Sequence, residues 1–312
     1  MLTGVAQSLT AELAAIGFMP ESLGIKLVGA RIADRAECEF ERLSQNIAPP
    51  KRWRALCVHH LGIGASFTEF LIAGLPLERE FKSKVASLGG IAHTIYALFD
   101  ALLDVSQAPP VLFAGDPRFA ADPEIRGKQE LVVSLVNLYF QKLSLLSGAP
   151  RIHALLERVI RRLHEAELRS AMPRQIERKT WWRKNALPIV VMGLPAWLST
   201  PPESKIRFAE HIMWLGRVGE FLGWLDDFSD YERDGASGHA NRLRLENSVS
   251  IEAHARRAAA MARRILGFWD SRNGISPARD TFTVIAWTWL TAPESKLAQN
   301  QFAGASTSGS EP

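Results

Sequence analysis

From residue 8 to residue 290 nearly every segment of this chain carries apolar residues at helical period, and none alternates apolar with polar as a half-buried strand does. Prolines punctuate the pattern at Pro49-Pro50, Pro76, Pro109-Pro110 and Pro201-Pro202. Because proline lacks the N–H that an interior helical position donates, each cluster marks a helix boundary. The spacing predicts one or two helices over 8–45, then helices over 51–73, 78–105, 124–147, 151–171 and 174–198, the last bending near Pro188. A further helix starts near Glu203, and two more cover 248–271 and 277–290, with Gly235 to Asn241 as a loop. The expected fold is an all-α single domain of about ten helices over residues 1–302. The Ser- and Gly-rich segment 303–312 lacks the apolar content to pack and is expected to be a disordered tail.

One stretch does not fit a purely structural helix. It runs from Gly216 to Asp234, GRVGEFLGWLDDFSDYERD. Asp226, Asp230 and Asp234 recur every four residues, so a continuous helix would project all three carboxylates from one face. Like charges stacked on one stripe repel, and oxygen ligands in that arrangement suit a hard divalent cation, Mg²⁺ above all when phosphate completes the shell. A solvated acidic turn at a helix end is the alternative. Asp100 and Asp104 repeat the spacing inside an otherwise apolar helix, where two charges are costly unless paired with arginines or bound to metal. Between the two acidic sites lies a basic cluster, Arg178-Lys179-Thr180-Trp181-Trp182-Arg183-Lys184, which reads either as an anion-binding group or as a solvated face.

Composition narrows the partners. A formal net charge of +4 suits anionic small molecules but is too slight to argue for nucleic acid. Cys38 and Cys57 have no ligand-like spacing, so neither a disulfide framework nor a zinc site is expected. The first residues, MLTGVAQSLTAELAAIGF, lack a basic n-region and a cleavage signature. The longest apolar run, Leu187 to Leu198, is shorter than a bilayer span and carries two prolines. A soluble cytoplasmic protein without a transmembrane segment is the expectation.

Taken together, these residues resemble the class I isoprenoid (terpenoid) synthase superfamily, the trans-prenyl diphosphate synthases in particular. His93, Thr94, Asp100 and Asp104 fall in register with that family's His-Thr-x-x-Leu-x-x-Asp-Asp-x-x-Asp. Gly219, Asp226, Asp227, Asp230 and Asp234 match its Gly-x-x-x-Gln-x-x-Asp-Asp-x-x-Asp-x-x-x-Asp. Lys179-Thr180, with Pro188 beyond it, is similar to the Lys-Thr pair that binds diphosphate, and Lys51-Arg52-Trp53-Arg54 to the Gly-Lys-x-x-Arg element for the homoallylic co-substrate. The likeness spans about residues 50–240, and the second motif also resembles that of the moenomycin-type prenyltransferase. It implies an antiparallel helical bundle with a central cavity, and Mg²⁺, three ions in the family's pattern, held by Asp100, Asp104, Asp226, Asp227, Asp230 and Asp234. A prenyl diphosphate would be bound by Lys179, Arg178, Arg183, Lys51, Arg54 and His93. Tyr96, Phe99, Phe221 and Leu222 are the candidate pocket walls, and a homodimer is a further expectation.

Three departures shape the functional expectation. Ala101 replaces the second Asp of the first motif, Gly223 stands where the family has Gln, and Val105-Ser106-Gln107-Ala108 follows the first motif in place of an arginine pair. That pair helps to hold isopentenyl diphosphate. The resemblance with these changes implies Mg²⁺-dependent ionisation of an allylic prenyl diphosphate followed by cyclisation of the cation. The alternatives are a prenyltransferase that passes the prenyl group to isopentenyl diphosphate or another nucleophile, and a non-catalytic partner subunit.

Overall fold

The computed structural model describes residues 4–105, 108–147, 150–170, 177–200, 207–237, 241–270 and 276–291. Twelve α-helices and no strand occur among the described residues. In chain order they are α1 (Gly4–Ala15), α2 (Ser22–Ser44), α3 (Arg54–Ile72), α4 (Arg79–Asp100), α5 (Pro123–Ser147) and α6 (Pro150–Ser170). They continue as α7 (Arg178–Leu198), α8 (Phe208–Ser229), α9 (Tyr231–Ser237), α10 (Arg242–Leu245), α11 (Ile251–Asp270) and α12 (Ser276–Thr291). The 303–312 tail lies outside the described residues.

Local chemistry sets several of these ends. The Asp122 carboxylate accepts from the amides of Glu124 and Ile125, both at 2.9 Å, and Pro123 takes the first helical position, where a missing N–H costs nothing. The Asn241 side chain caps α10 and the Ser250 hydroxyl caps α11. Two boundaries and the geometry of one turn differ from the sequence pattern. α4 runs on into a π-helical turn, Ala101–Val105. Asp230 leaves helical geometry and ends α8, so the three-carboxylate stripe is broken at its middle residue. The expected loop from Gly235 is helical as far as Ser237.

α7 continues through both Pro188 and Pro195. A proline at 195 cannot donate to the carbonyl of Val191 four residues earlier. The buried Tyr139 hydroxyl of α5 donates to that oxygen at 2.9 Å, so the orphan acceptor is satisfied from outside the helix. Pro188 removes the equivalent bond at the Lys184 carbonyl.

α3 and α4 form the closest pair, and α7 packs against α4, α6 and α8. Gly64 permits the first contact, because a Cβ there would collide with the Cβ of His93 on α4. On the other side α8 is covered by α11, α12 and α1. An aromatic group fills that region: Phe70 stacks on Phe282 with centroids 4.3 Å apart, and Trp214 stacks on Phe268 at 4.8 Å. α3 and the continuous stretch Arg79–Leu103 are long and apolar enough by composition to cross a membrane, yet their apolar windows are 67% and 72% buried within the bundle. Their hydrophobicity is that of central core helices.

Candidate active site

The Tyr96 phenol marks where the chemistry converges. Burial raises its pKa well above the usual range, and the carboxylates of Asp100, Glu167 and Asp226 push it further, against the ammonium of Lys184. Four helices thus present charge to one ring: α4 with Asp100, α6 with Glu167, α7 with Lys184 and α8 with Asp226. Tyr96 and Asp100 are one turn apart on α4, and Leu222 and Asp226 one turn apart on α8; all four side chains stay partly exposed. The two acidic helices, 126 residues apart in sequence at these carboxylates, therefore line one cleft, with α7 packed against both.

On the α4 side the Asp100 carboxylate lies 3.4 Å from the Lys184 ammonium, which is also 3.7 Å from Glu167. Asp104 belongs to the π-helical turn, and its side chain lies outside the described residues.

On the α8 side each acid is held differently. Asp226 accepts from the Trp289 indole of α12 at 3.3 Å. Asp227 is buried and accepts from the Trp181 indole of α7 at 3.0 Å. Burial drives its carboxyl well above the usual range, and the neighbouring Asp226 charge adds to that. Asp230 is bonded by Ser229 at 3.2 Å and by the Arg233 guanidinium. Asp234 accepts from Asn241 Nδ2 at 2.9 Å; burial raises its carboxyl, with Asp226 and Asp230 raising it too. The same Asn241 amide donates to the Asp227 carbonyl at 2.7 Å, while its oxygen accepts from the Leu243 amide at 3.1 Å. Arg242 lies over both Trp181 and Trp224, 4.4 and 4.3 Å from the ring centroids, and locks that layer in place.

Gly223 now has a reason. A Cβ there would sit 2.6 Å from the Asn185 side chain and 2.9 Å from the Trp181 ring, so the missing side chain leaves room for the indole that donates to Asp227.

The remaining expected residues divide. Lys179 and Arg178 are exposed at the start of α7 and Arg183 is partly exposed; none of the three has an ion pair among the described residues. Lys51 is exposed, while Arg54 pairs with Glu37 at 2.8 Å and covers the Phe40 ring. His93 is buried, with its Nδ1 3.1 Å from the His60 carbonyl, and burial lowers its pKa to about 4, so it carries no charge at neutral pH. Lys51, Arg54 and His93 are thus not gathered into one cationic group. Phe99 packs edge-on to His164, and Phe221 sits among Phe18 and Phe282; both are fully buried in the core.

Sequence reasoning missed Glu167, Trp289 and Asn241. Glu167 had a visible signal, since it falls seven residues after Ile160 and four after Leu163 on the buried stripe of α6. Trp289 and Asn241 had none, because their partners lie 63 and 7 residues away across a turn of the fold.

No protein-family model and no curated protein matches the sequence. Solved structures do match the fold. An FPP/GFPP synthase from Zymomonas mobilis aligns with a TM-score of 0.53 at 14% identity, covering 84% of this chain and 98% of that one. The chain has an isoprenoid synthase fold. A geranyltranstransferase from Thermotoga maritima agrees, with a TM-score of 0.51 at 15% identity over 82% of this chain and 97% of its own. At such identities the likeness is one of fold, and activity has to be argued from the site.

Carboxylate oxygens on two facing walls are the donor chemistry of a hard divalent cation. Among the described residues no three His, Cys, Asp or Glu side chains already converge as a closed metal site. Oxygen donors on both walls would suit instead a cation whose shell is shared with a bound phosphate.

Proposed function

We propose that this protein ionises an allylic prenyl diphosphate in the cleft around Tyr96 and transfers the prenyl group to an acceptor. The observation that carries this is the placement of Asp100 and Asp226, on separate helices, around one phenol. The structural neighbours named as an FPP/GFPP synthase and a geranyltranstransferase favour transfer over cyclisation. Asp100, Asp104, Asp226, Asp230 and Asp234 would hold Mg²⁺, and Asp227, turned into the Trp181 bond, would set the wall behind them. Bound there, Mg²⁺ supplies Lewis acidity to the diphosphate leaving group. Lys179, Arg178 and Arg183, at the mouth of α7, would neutralise further phosphate charge. The Tyr96 ring would face the allylic carbon with its π-surface and help to keep water out. A cytoplasmic location belongs to the same proposal.

A second reading, cyclisation of the cation, is favoured by one observation. Among the described residues Arg54 pairs with Glu37 and His93 is neutral, so the expected group for a second diphosphate is not assembled there. That same feature supports an acceptor other than isopentenyl diphosphate. The test is incubation of purified protein with geranyl, farnesyl and geranylgeranyl diphosphates and Mg²⁺, with and without isopentenyl diphosphate. Pyrophosphate release that rises with an added nucleophile and incorporates it is the expected result. Cyclic hydrocarbon or cyclic alcohol from one substrate alone establishes cyclisation. Release from none of the three removes the enzymatic reading and leaves the partner subunit.

A further inference from the structure

We propose that Lys184 is the protein's own counter-ion for this site, anchored by Glu167 and holding Asp100 in a contact that a divalent cation displaces. The inference deepens the reading of the cleft as a metal–diphosphate centre and rests on it. Its basis is an asymmetry between the two carboxylates on either side of one ammonium. Glu167 is fully buried, so its charge needs a fixed cation nearby. The Asp100 side chain is 43% exposed and can be reached from the cleft, where a cation approaching it meets the Lys184 ammonium at 3.4 Å.

Lysine presents a compact charge on a flexible four-carbon stem, and moving that charge toward Glu167 requires no change in the rest of α7. α7 is also the helix packed against both acidic walls, which places the ammonium between them. Nothing in the basic cluster of the sequence singled out Lys184 over Lys179; its cross-helix partners do.

The experiment compares full-length wild type with K184M, K184R and E167Q in thermal melts over a MgCl₂ titration, with and without inorganic pyrophosphate. Methionine keeps the apolar stem and removes the charge. The half-saturating Mg²⁺ concentration should fall at least about threefold in K184M, since the competitor is gone, and stay within about twofold of wild type in K184R. In E167Q it should rise, because the ammonium loses the pull of Glu167 and stays with Asp100. A K184M protein with a lower melting temperature at every Mg²⁺ concentration and an unmoved midpoint overturns the proposal, leaving only a structural lysine. If K184M does not fold, the K184M/E167Q double variant removes the buried pair together and is judged by the same midpoint. A wild type that shows no Mg²⁺ response overturns the metal–diphosphate reading as well, whereas a response without the K184M shift overturns the counter-ion alone.

Discussion

The two acidic walls of the cleft are built on opposite principles. On α8 and the short helices after it, Asp227, Asp230 and Asp234 each accept hydrogen bonds from fixed neighbours, Trp181, Arg233 with Ser229, and Asn241. On α4, the contact of Asp100 among the described residues is a charge, Lys184 at 3.4 Å, beside a π-helical turn. Oriented N–H donors fix a carboxylate in direction as well as position, whereas an ammonium at that distance fixes only its neighbourhood. The α8 wall is a preorganised surface and the α4 wall an adjustable one. A bound diphosphate with its cations would find one side ready and bring the other into place.

The comparison breaks most plainly at the acids that face the cleft. Asp226→Ala and Asp100→Ala should each lower pyrophosphate release by on the order of a hundredfold or more, since each removes an oxygen donor for the ion that stabilises the leaving group. Circular dichroism should show both variants folded. Full turnover in either would sink the site assignment.

A stability difference should follow at the fixed wall. Asn241→Leu leaves the buried Asp234 carboxylate and the Asp227 carbonyl without their shared donor. The expected loss is roughly 3 kcal/mol in urea denaturation, from two buried acceptors at about 1–3 kcal/mol each. A loss under about 1 kcal/mol would mean that the second wall is no more rigid than the first.

Acid should act on the two walls with opposite sign. His93, behind the α4 wall, is depressed to about 4 from 6.5 by burial, so the unfolded chain takes up the proton first. Its contribution is present above about pH 6.5 and is lost as the pH falls toward 4, about 3 kcal/mol in all. Asp227 and Asp234 are raised, so the folded state protonates first and gains stability as the pH falls through their folded values. Denaturation of wild type and His93→Gln between pH 7 and 4.5 separates them. The decline should flatten in the variant, and an unchanged slope would remove His93 as its cause.

The smallest effect is expected at Ala101. It opens the π-helical turn and is partly exposed. Ala101→Asp adds a carboxylate to a wall that already adjusts, and turnover should change by less than about threefold, with stability within about 0.5 kcal/mol. A large gain in turnover would instead mark the α4 wall as decayed and support the partner-subunit reading.

Helical period alone determined the all-α class, most helix boundaries to within a few residues, and the pairing of Tyr96 with Asp100 and of Leu222 with Asp226 on single faces. Those relations are local: residues four apart on a helix share a face whatever the helix packs against. The proline-bounded segments and these single-face pairings therefore survived folding. What tertiary structure decided is which charges meet. Lys184 rather than Lys179 reaches Asp100, Glu167 enters from α6, and Arg54 goes to Glu37. Asp227 turns to Trp181 because Gly223 leaves room for the ring, and the stripe through Asp230 ends where Ser229, Arg233 and Asn241 bond its members. An ion pair or a buried acceptor is satisfied by whatever donor the packing brings within about 3–4 Å, and sequence spacing carries no record of that distance across helices.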